Sequence, residues 1–300
     1  MASNDTDWRQ YLPDISLFLS TAVWGLSFTI LKSIIGIQVS GVLFVFLRFL
    51  IASVILFPLC RRRLITLGED GIKAGILLGI LIFAGFITQS IGITFTTASK
   101  SAFITGLSTG FVPIFLLVHK GKIPEPAVIF ALALALAGMY MLTGPAGGGF
   151  NLGDLLTLVC AIVFGAQIYL MGIVTLKYDS LALTWVELFS TAIIAAIFLP
   201  LERVHFSFTW KAISALLFMA VFATGIALFI QTWAQKRVIA VRAGLIFAAE
   251  PVFAYMFASA ILVERFNLSQ KIGAAVIILA VLSSEFLPLL LNSRKTSAGI

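Results

Sequence analysis

The chain reads as an all-α membrane protein of ten transmembrane helices arranged as two inverted five-helix repeats. Three observations predict this. Hydrophobic residues fill 60% of its 300 positions and charged residues only 11%, with mean hydropathy +1.10, too little polar surface for a soluble chain of this length. The apolar residues gather in runs near the ~20 residues that cross a bilayer. The second half also echoes the first at an offset near 142 residues, where Gln89 falls on Gln231 and Phe111 on Phe253.

The polar, mixed-charge opening "MASNDTDWRQYLP" (1–13) lacks the basic start and small-residue cleavage site of a signal peptide and reads as a cytoplasmic segment. The first repeat, 14–144, holds spans at 14–32, closing on Lys32, and at 40–60, which carries Arg48. Spans three to five follow at 72–93, with Gln89, at 99–118, with Ser108, and at 126–144. A glycine-rich linker, 145–152, leads into the second repeat, 153–291. There, span six (153–174) holds Tyr169, span seven (181–200) Trp185 and Glu187, and span eight (211–233) Gln231 and Trp233. Span nine (241–263) carries Glu250–Pro251, span ten (270–291) carries Glu285, and 292–300 form a second cytoplasmic tail.

The self-match also sets Ala98 on Ala240, Lys100 on Arg242, and Pro58–Leu59 on Pro200–Leu201; near the start the offset is 140, with Asp14 on Asp154 and Gly25 on Gly165. Five spans per repeat is odd, so the second copy must run inverted, the architecture of secondary transporters with a site near the midplane. Cationic residues set the orientation. With both termini cytoplasmic, that side holds most of them, above all Arg61, Arg62 and Arg63, while Lys32, Lys100, Arg203, Lys211, Arg265 and Lys271 lie opposite. The net charge of +7 is therefore a topology signal, and no nucleic-acid partner is expected.

Four stretches resemble the drug/metabolite transporter superfamily, specifically its EamA-type ten-helix permeases. "AVWGLSFTILK" (22–32) is similar to the family's first helix, "FLRFLIAS" (46–53) to its second-helix Arg motif, and "TTASKSAFITGLSTGFVPIF" (96–115) to its fourth helix. "AVRAGLIFAAEPVFAYMFASAILVERFNLSQKIGAAVIILAVL" (240–282) resembles the ninth and tenth. The resemblance implies a bacterial inner-membrane exporter of amino acids, other metabolites or drugs. It further implies a central cavity lined by spans 1, 3, 4, 6, 8 and 9. One departure is that span four offers Ser108–Thr109 where span nine offers Glu250–Pro251.

Glu250 is the leading site candidate, because a carboxylate at membrane depth is costly and is kept where it faces protein or a wet cavity. Proline at 251 cannot donate to the Phe247 carbonyl and crowds that turn, which predicts a kink. Glu250 reads either as a substrate or proton site or as a packing carboxylate. Gln89 and Gln231 are repeat-related amides that either line the cavity or bond between helices. Trp24, Tyr169 and Trp233 are candidates for an aromatic wall, and Ser108 is the counterpart of Glu250. Arg48, Glu187 and Lys32 read as structural charges: Arg48 snorkelling or paired with a carboxylate, Glu187 and Lys32 reaching the interface.

Cys60 and Cys160 have no metal or redox spacing, and His119 and His205 fall in connectors on opposite sides. There is no GxxxxGK[ST] and no HExxH. The sequence therefore predicts no catalytic residue, metal or cofactor, only a small-molecule substrate and the lipid bilayer as partners, with monomer and homodimer both open. The reading is a secondary transporter exporting small metabolites, amino acids or related polar solutes, by alternating access. Alternatives are a multidrug or cationic-compound efflux permease and, in other classes, a membrane-embedded transferase or a non-transporting membrane protein.

Overall fold

The computed structural model describes residues 8–143, 151–262, 268–269, 271–280 and 283. The C-terminal segment 292–300 expected to be cytoplasmic, residues 1–7 of the expected cytoplasmic N-terminal segment, most of the glycine-rich linker and Glu285 lie outside them. After a 3-10 turn at Trp8–Tyr11, the helices are α1 (Leu12–Ile34), α2 (Gly41–Cys60), α3 (Gly68–Phe95), α4 (Ala98–Gly106), α5 (Ser108–Lys120) and α6 (Pro126–Thr143). The second half holds α7 (Leu152–Val174), α8 (Ser180–Phe198), α9 (Trp210–Ala220), a π-helical turn (Val221–Ile226) and α10 (Ala227–Ala234). It continues with α11 (Ala240–Phe247), α12 (Glu250–Leu262) and α13 (Lys271–Ala280).

Taking α4–α5, α9–α10 and α11–α12 as single interrupted helices, eight helices among the described residues are long and apolar enough to cross a membrane; Pro126–Met141 and Lys271–Ala280 are shorter apolar ones. The protein is thus an all-helical, multi-pass membrane protein. Large apolar side chains such as Leu19, Val54, Ile197 and Phe57 stay exposed on the outside of the bundle, where acyl chains solvate them at no cost.

Two of these interruptions bear on the site: the sequence predicts an unbroken fourth span and a ninth that is only kinked. The fourth breaks at Leu107, whose N–H turns back to the Ile104 carbonyl before α5 starts at Ser108. The ninth breaks at Ala248–Ala249, where Ala249 N–H bonds Ile246 O at 3.1 Å and Val252 N–H bonds Ala249 O at 3.0 Å. Pro251 therefore does more than kink a continuous helix. It sits in the first turn of a new one, where its missing donor costs nothing, and it leaves Glu250 at that helix's N-terminus.

Helix boundaries repeat. α1 and α7 both run 23 residues and begin 140 positions apart, while α3 and α9, and α4 and α11, begin 142 apart. Packing repeats with them: α1 lies on α12 and α11 as α7 lies on α5 and α4. At those two crossings a Cβ on Gly25 would meet Phe253 Cβ at 2.5 Å, and one on Gly165 would meet Phe111 Cβ at 2.6 Å. Glycine is what lets each pair of backbones approach so closely.

Of the three charges read as structural, Arg48 and Glu187 sit elsewhere than expected. Arg48 is fully buried and pairs with no carboxylate among the described residues. Its Nε donates to Thr224 Oγ1 at 2.7 Å and Nη2 to Ala223 O at 3.3 Å, with the guanidinium over Phe86 at 4.4 Å. The planar ion is thus stacked and hydrogen-bonded in place, with no route to snorkel. Glu187 is fully buried too and accepts from Gln167 Nε2 at 3.0 Å. Lys32 donates to Ile93 O at 2.8 Å and Thr96 O at 2.7 Å, closing the C-terminal end of α3 where a cation is favoured.

Candidate functional site

Between the two sets of helices lies a cavity of about 50 Å³, several times the ~10–15 Å³ that one ordered water occupies on this measure. Its walls come from α1 (Trp24, Ser27, Phe28), α3 (Ile82, Phe86, Gln89), Thr105 of α4 and Ser108 of α5. Across from these stand α7 (Phe164, Gln167, Ile168), α10 (Leu228, Gln231), Phe247 of α11 and Glu250 of α12. These helices are spans 1, 3, 4, 6, 8 and 9, the set that the family resemblance implies.

The wall is built twice. At an offset of 140, Trp24 maps on Phe164, Ser27 on Gln167 and Phe28 on Ile168; at 142, Phe86 maps on Leu228, Gln89 on Gln231, Thr105 on Phe247 and Ser108 on Glu250. Only Ile82 lacks a lining mate. The chemistry of the mates differs: one side sets an indole and hydroxyls where the other sets a benzyl ring, an amide and a carboxylate.

Trp24, Ser108, Gln89, Gln231 and Glu250, all singled out in the sequence, therefore meet in one place. Tyr169 and Trp233 are not among the lining residues. The Tyr169 hydroxyl lies 2.7 Å from His119 Nδ1, and Trp233 carries the Arg237 guanidinium 4.8 Å above its ring. His119 itself belongs to the last turn of α5 and not to a connector.

Sequence reasoning missed Gln167, Thr105, Ser27 and Phe164. The repeat offset held the signal: shifting Trp24 by 140 lands on Phe164, and Ser27 on Gln167.

The polar side of the cavity is a connected network. Gln167 donates to Glu187 Oε1 at 3.0 Å and accepts at Oε1 from Gln231 Nε2 at 3.0 Å. Gln231 Nε2 also reaches Gln235 Oε1 at 3.0 Å, and Gln235 donates to Ile168 O at 2.9 Å. With its amide nitrogen committed twice, Gln231 keeps its carbonyl oxygen for the cavity. Gln89 turns its amide nitrogen 3.4 Å from Thr105 Oγ1. Glu250, half-buried at the cavity wall, makes no hydrogen bond or ion pair among the described residues. Its place in the first turn of α12 sets the carboxylate at the positive end of a helix dipole.

A cavity several waters large inside a polytopic bundle, walled by matching positions of two repeats, is the anatomy of a membrane transporter. The profile of the EamA-like transporter family matches residues 12–144 and again 151–284. The chain belongs to that family, within the drug/metabolite transporter superfamily, and is a membrane transporter. It is 32% identical over 274 residues, 91% of this chain and 86% of the relative, to an uncharacterized transporter of Archaeoglobus fulgidus. It is 22% identical over 276 residues, 89% of this chain and 94% of the relative, to the uncharacterized transporter YoaV of Bacillus subtilis. A solved structure described only as a crystal structure of a protein superposes with TM-score 0.74 at 17% identity, covering 94% of this chain and 98% of the other, a likeness of fold.

Proposed function

We propose that this protein exports a small polar metabolite, an amino acid or related solute, across a bacterial inner membrane by alternating access. The observation that carries the reading is the doubly built cavity wall, in which Trp24/Phe164, Gln89/Gln231 and Ser108/Glu250 face one space from equivalent positions. Two halves, 14–144 and 153–291, each of five spans and inverted relative to one another, rock about that space, with both termini cytoplasmic. Glu250, unpartnered and in contact with the cavity, is the cargo or proton contact. Gln89, Gln231 and Ser108 supply hydrogen bonds, and Trp24 supplies an aromatic face.

A second reading, efflux of cationic compounds, is favoured by one feature. The described wall holds a carboxylate and no Lys or Arg, so an unpaired positive charge on the cargo finds a counter-charge whereas an anion finds none.

Reconstitution in proteoliposomes tests both readings, with a panel of radiolabelled amino acids and quaternary amines, internal pH recorded, and Glu250→Gln alongside. Uptake of at least one panel member that drops about tenfold or more in the Gln variant, the loss of ~1.4 kcal/mol of binding, supports Glu250 as the contact. Wild-type rates and unchanged pH response in the variant remove it from that role. A panel in which nothing moves counts against export of these solutes.

A further inference from the structure

Among the described residues three ion pairs join the two halves: the exposed Arg63–Asp179 pair at 3.1 Å, and two better-shielded pairs that are each the repeat image of the other. Lys100, in the first turn of α4, lies 2.6 Å from Asp154 at the start of α7. Arg242, in the first turn of α11, lies 3.2 Å from Asp14 at the start of α1. The offsets of 140 and 142 that map the cavity wall onto itself also map Asp14 on Asp154 and Lys100 on Arg242. Each pair therefore takes its acid from one half and its base from the other.

The pairs stand at opposite ends of the bundle. Lys32, at the far end of α1 from Asp14, bonds the carbonyl of Thr96, and Thr96 Oγ1 donates to Asp154 Oδ1 at 2.9 Å. The 18 residues from Asp14 to Lys32 span about 27 Å of helix. Trp24, on the cavity, comes between them, about 15 Å along the helix from Asp14 and about 12 Å from Lys32. Both pairs are partly shielded, with side-chain exposures of 23% for Lys100 and 0% for Asp154, against 35% for Arg242 and 15% for Asp14. Charges so placed are screened less than surface ones.

Their geometry is unequal. Asp154 accepts from Lys100, from Thr96 and from the Asn151 backbone N–H at 2.9 Å. Asp14 Oδ1 is within ion-pair distance of Arg242 Nε, yet no hydrogen bond of acceptable angle forms there.

We propose that Lys100–Asp154 and Arg242–Asp14 are the residues that decide to which membrane face the cavity opens, each pair latching the two halves together on its own side. The inference rests on the transport reading. Rocking the halves about a central cavity must separate a cross-half contact on the opening side while the contact on the other side persists. Two pairs related by the repeat, one at each end, form the contact that such a motion alternately breaks. In this conformation the Lys100–Asp154 latch carries further hydrogen bonds to Asp154, whereas Asp14 Oδ1 in the Arg242–Asp14 latch takes none.

The test uses the full chain in oriented membrane vesicles, with Cys60→Ala and Cys160→Ala as background and Ser27→Cys as a reporter on the cavity wall. A membrane-impermeant thiosulfonate reagent is applied from one face at a time. Lys100→Met or Asp154→Asn is expected to raise labelling about tenfold from the Lys100 face only. Arg242→Met or Asp14→Asn is expected to raise it from the Asp14 face only. Exchanging the charges, Lys100→Asp with Asp154→Lys, is expected to bring labelling back toward the parent. Variants that do not fold are replaced by spin-label distances across each pair in the parent, which are expected to be short on one side when long on the other. Labelling of the parent that no variant changes, or that rises equally from both faces, overturns the latches and leaves the transporter reading standing. A reporter that stays unlabelled from both faces in the parent and in every variant overturns the cavity's role in transport and the latches with it.

Discussion

The indole Nε1 of Trp24 donates to the carbonyl of Ala223 at 2.9 Å across the bundle. Ala223 lies in the π-helical turn Val221–Ile226, where wider hydrogen-bond rings leave carbonyls available that an α-helix would use itself. Thr224 follows the π pattern, its hydroxyl donating to Met219 O, five residues back, at 2.7 Å. Ala223 O also takes the bond from Arg48, which stacks on Phe86. One irregular turn thus holds a cavity aromatic in place and carries the buried cation behind a second one. π-turns recur at functional sites, and this one backs the cavity wall.

Thr224→Val is expected to destabilise the protein by about 1–3 kcal/mol, because it removes the Nε acceptor of a guanidinium that cannot reach water. Arg48→Lys is expected to lose stability too, since an ammonium cannot stack on Phe86 and hold two bonds at once. Thermal unfolding in detergent, followed by thiol-reactive dye or near-UV circular dichroism, reads both.

Gly25→Ala and Gly165→Ala are each expected to cost roughly 1–3 kcal/mol, the range for overpacking a close contact. The added methyl would stand 2.5 Å from Phe253 Cβ in one case and 2.6 Å from Phe111 Cβ in the other. Gly110→Ala is the control, because its nearest neighbour, Leu136, would stand at an ordinary 3.8 Å. A melting temperature unchanged in the Gly25 variant would show that the α1–α12 crossing relaxes freely.

Gln167→Leu strips Glu187 of its donor and Gln231 of an acceptor. It is expected to lower stability by about 1–3 kcal/mol, more if the carboxylate stays charged, and to raise the half-saturation constant of any transported solute. Glu187→Gln with Gln167 intact keeps an acceptor in place and is expected to be milder. Side-by-side flux titrations and melting curves separate the two effects.

Tyr169→Phe is expected to lose about 1 kcal/mol with its 2.7 Å bond to His119 while leaving cargo selectivity unchanged, because Tyr169 is not on the cavity wall. Trp24→Phe is expected to shift selectivity, since it empties the Ala223 bond and shortens the wall. Competition with a panel of ring-bearing solutes distinguishes the pair.

Much of this was legible beforehand. Apolar runs fix where helices lie because an uncompensated backbone cannot cross hydrocarbon. The offsets joining Gln89 to Gln231 and Asp14 to Asp154 announced a repeat, and the depth of Glu250 marked it out. Facing was not legible. In a soluble helix the polar face reveals the exposed side, but here both the lipid-facing and the protein-facing sides are apolar, so Trp24 and Trp233 looked alike as aromatic candidates.

The sequence by itself determined the membrane class, through hydropathy, the family, through its motifs, and the two offsets, through order along the chain. Tertiary structure alone decided partners. It gave Arg48 a threonine and three rings instead of a carboxylate, buried Glu187 behind Gln167, drew Tyr169 to His119, and paired Lys100 with Asp154 across the halves. The physical reason is that a side chain's partner depends on the rotation and tilt of its helix against its neighbours. Those angles are set by close contacts such as Gly25 on Phe253 and Gly165 on Phe111, between residues far apart in the chain.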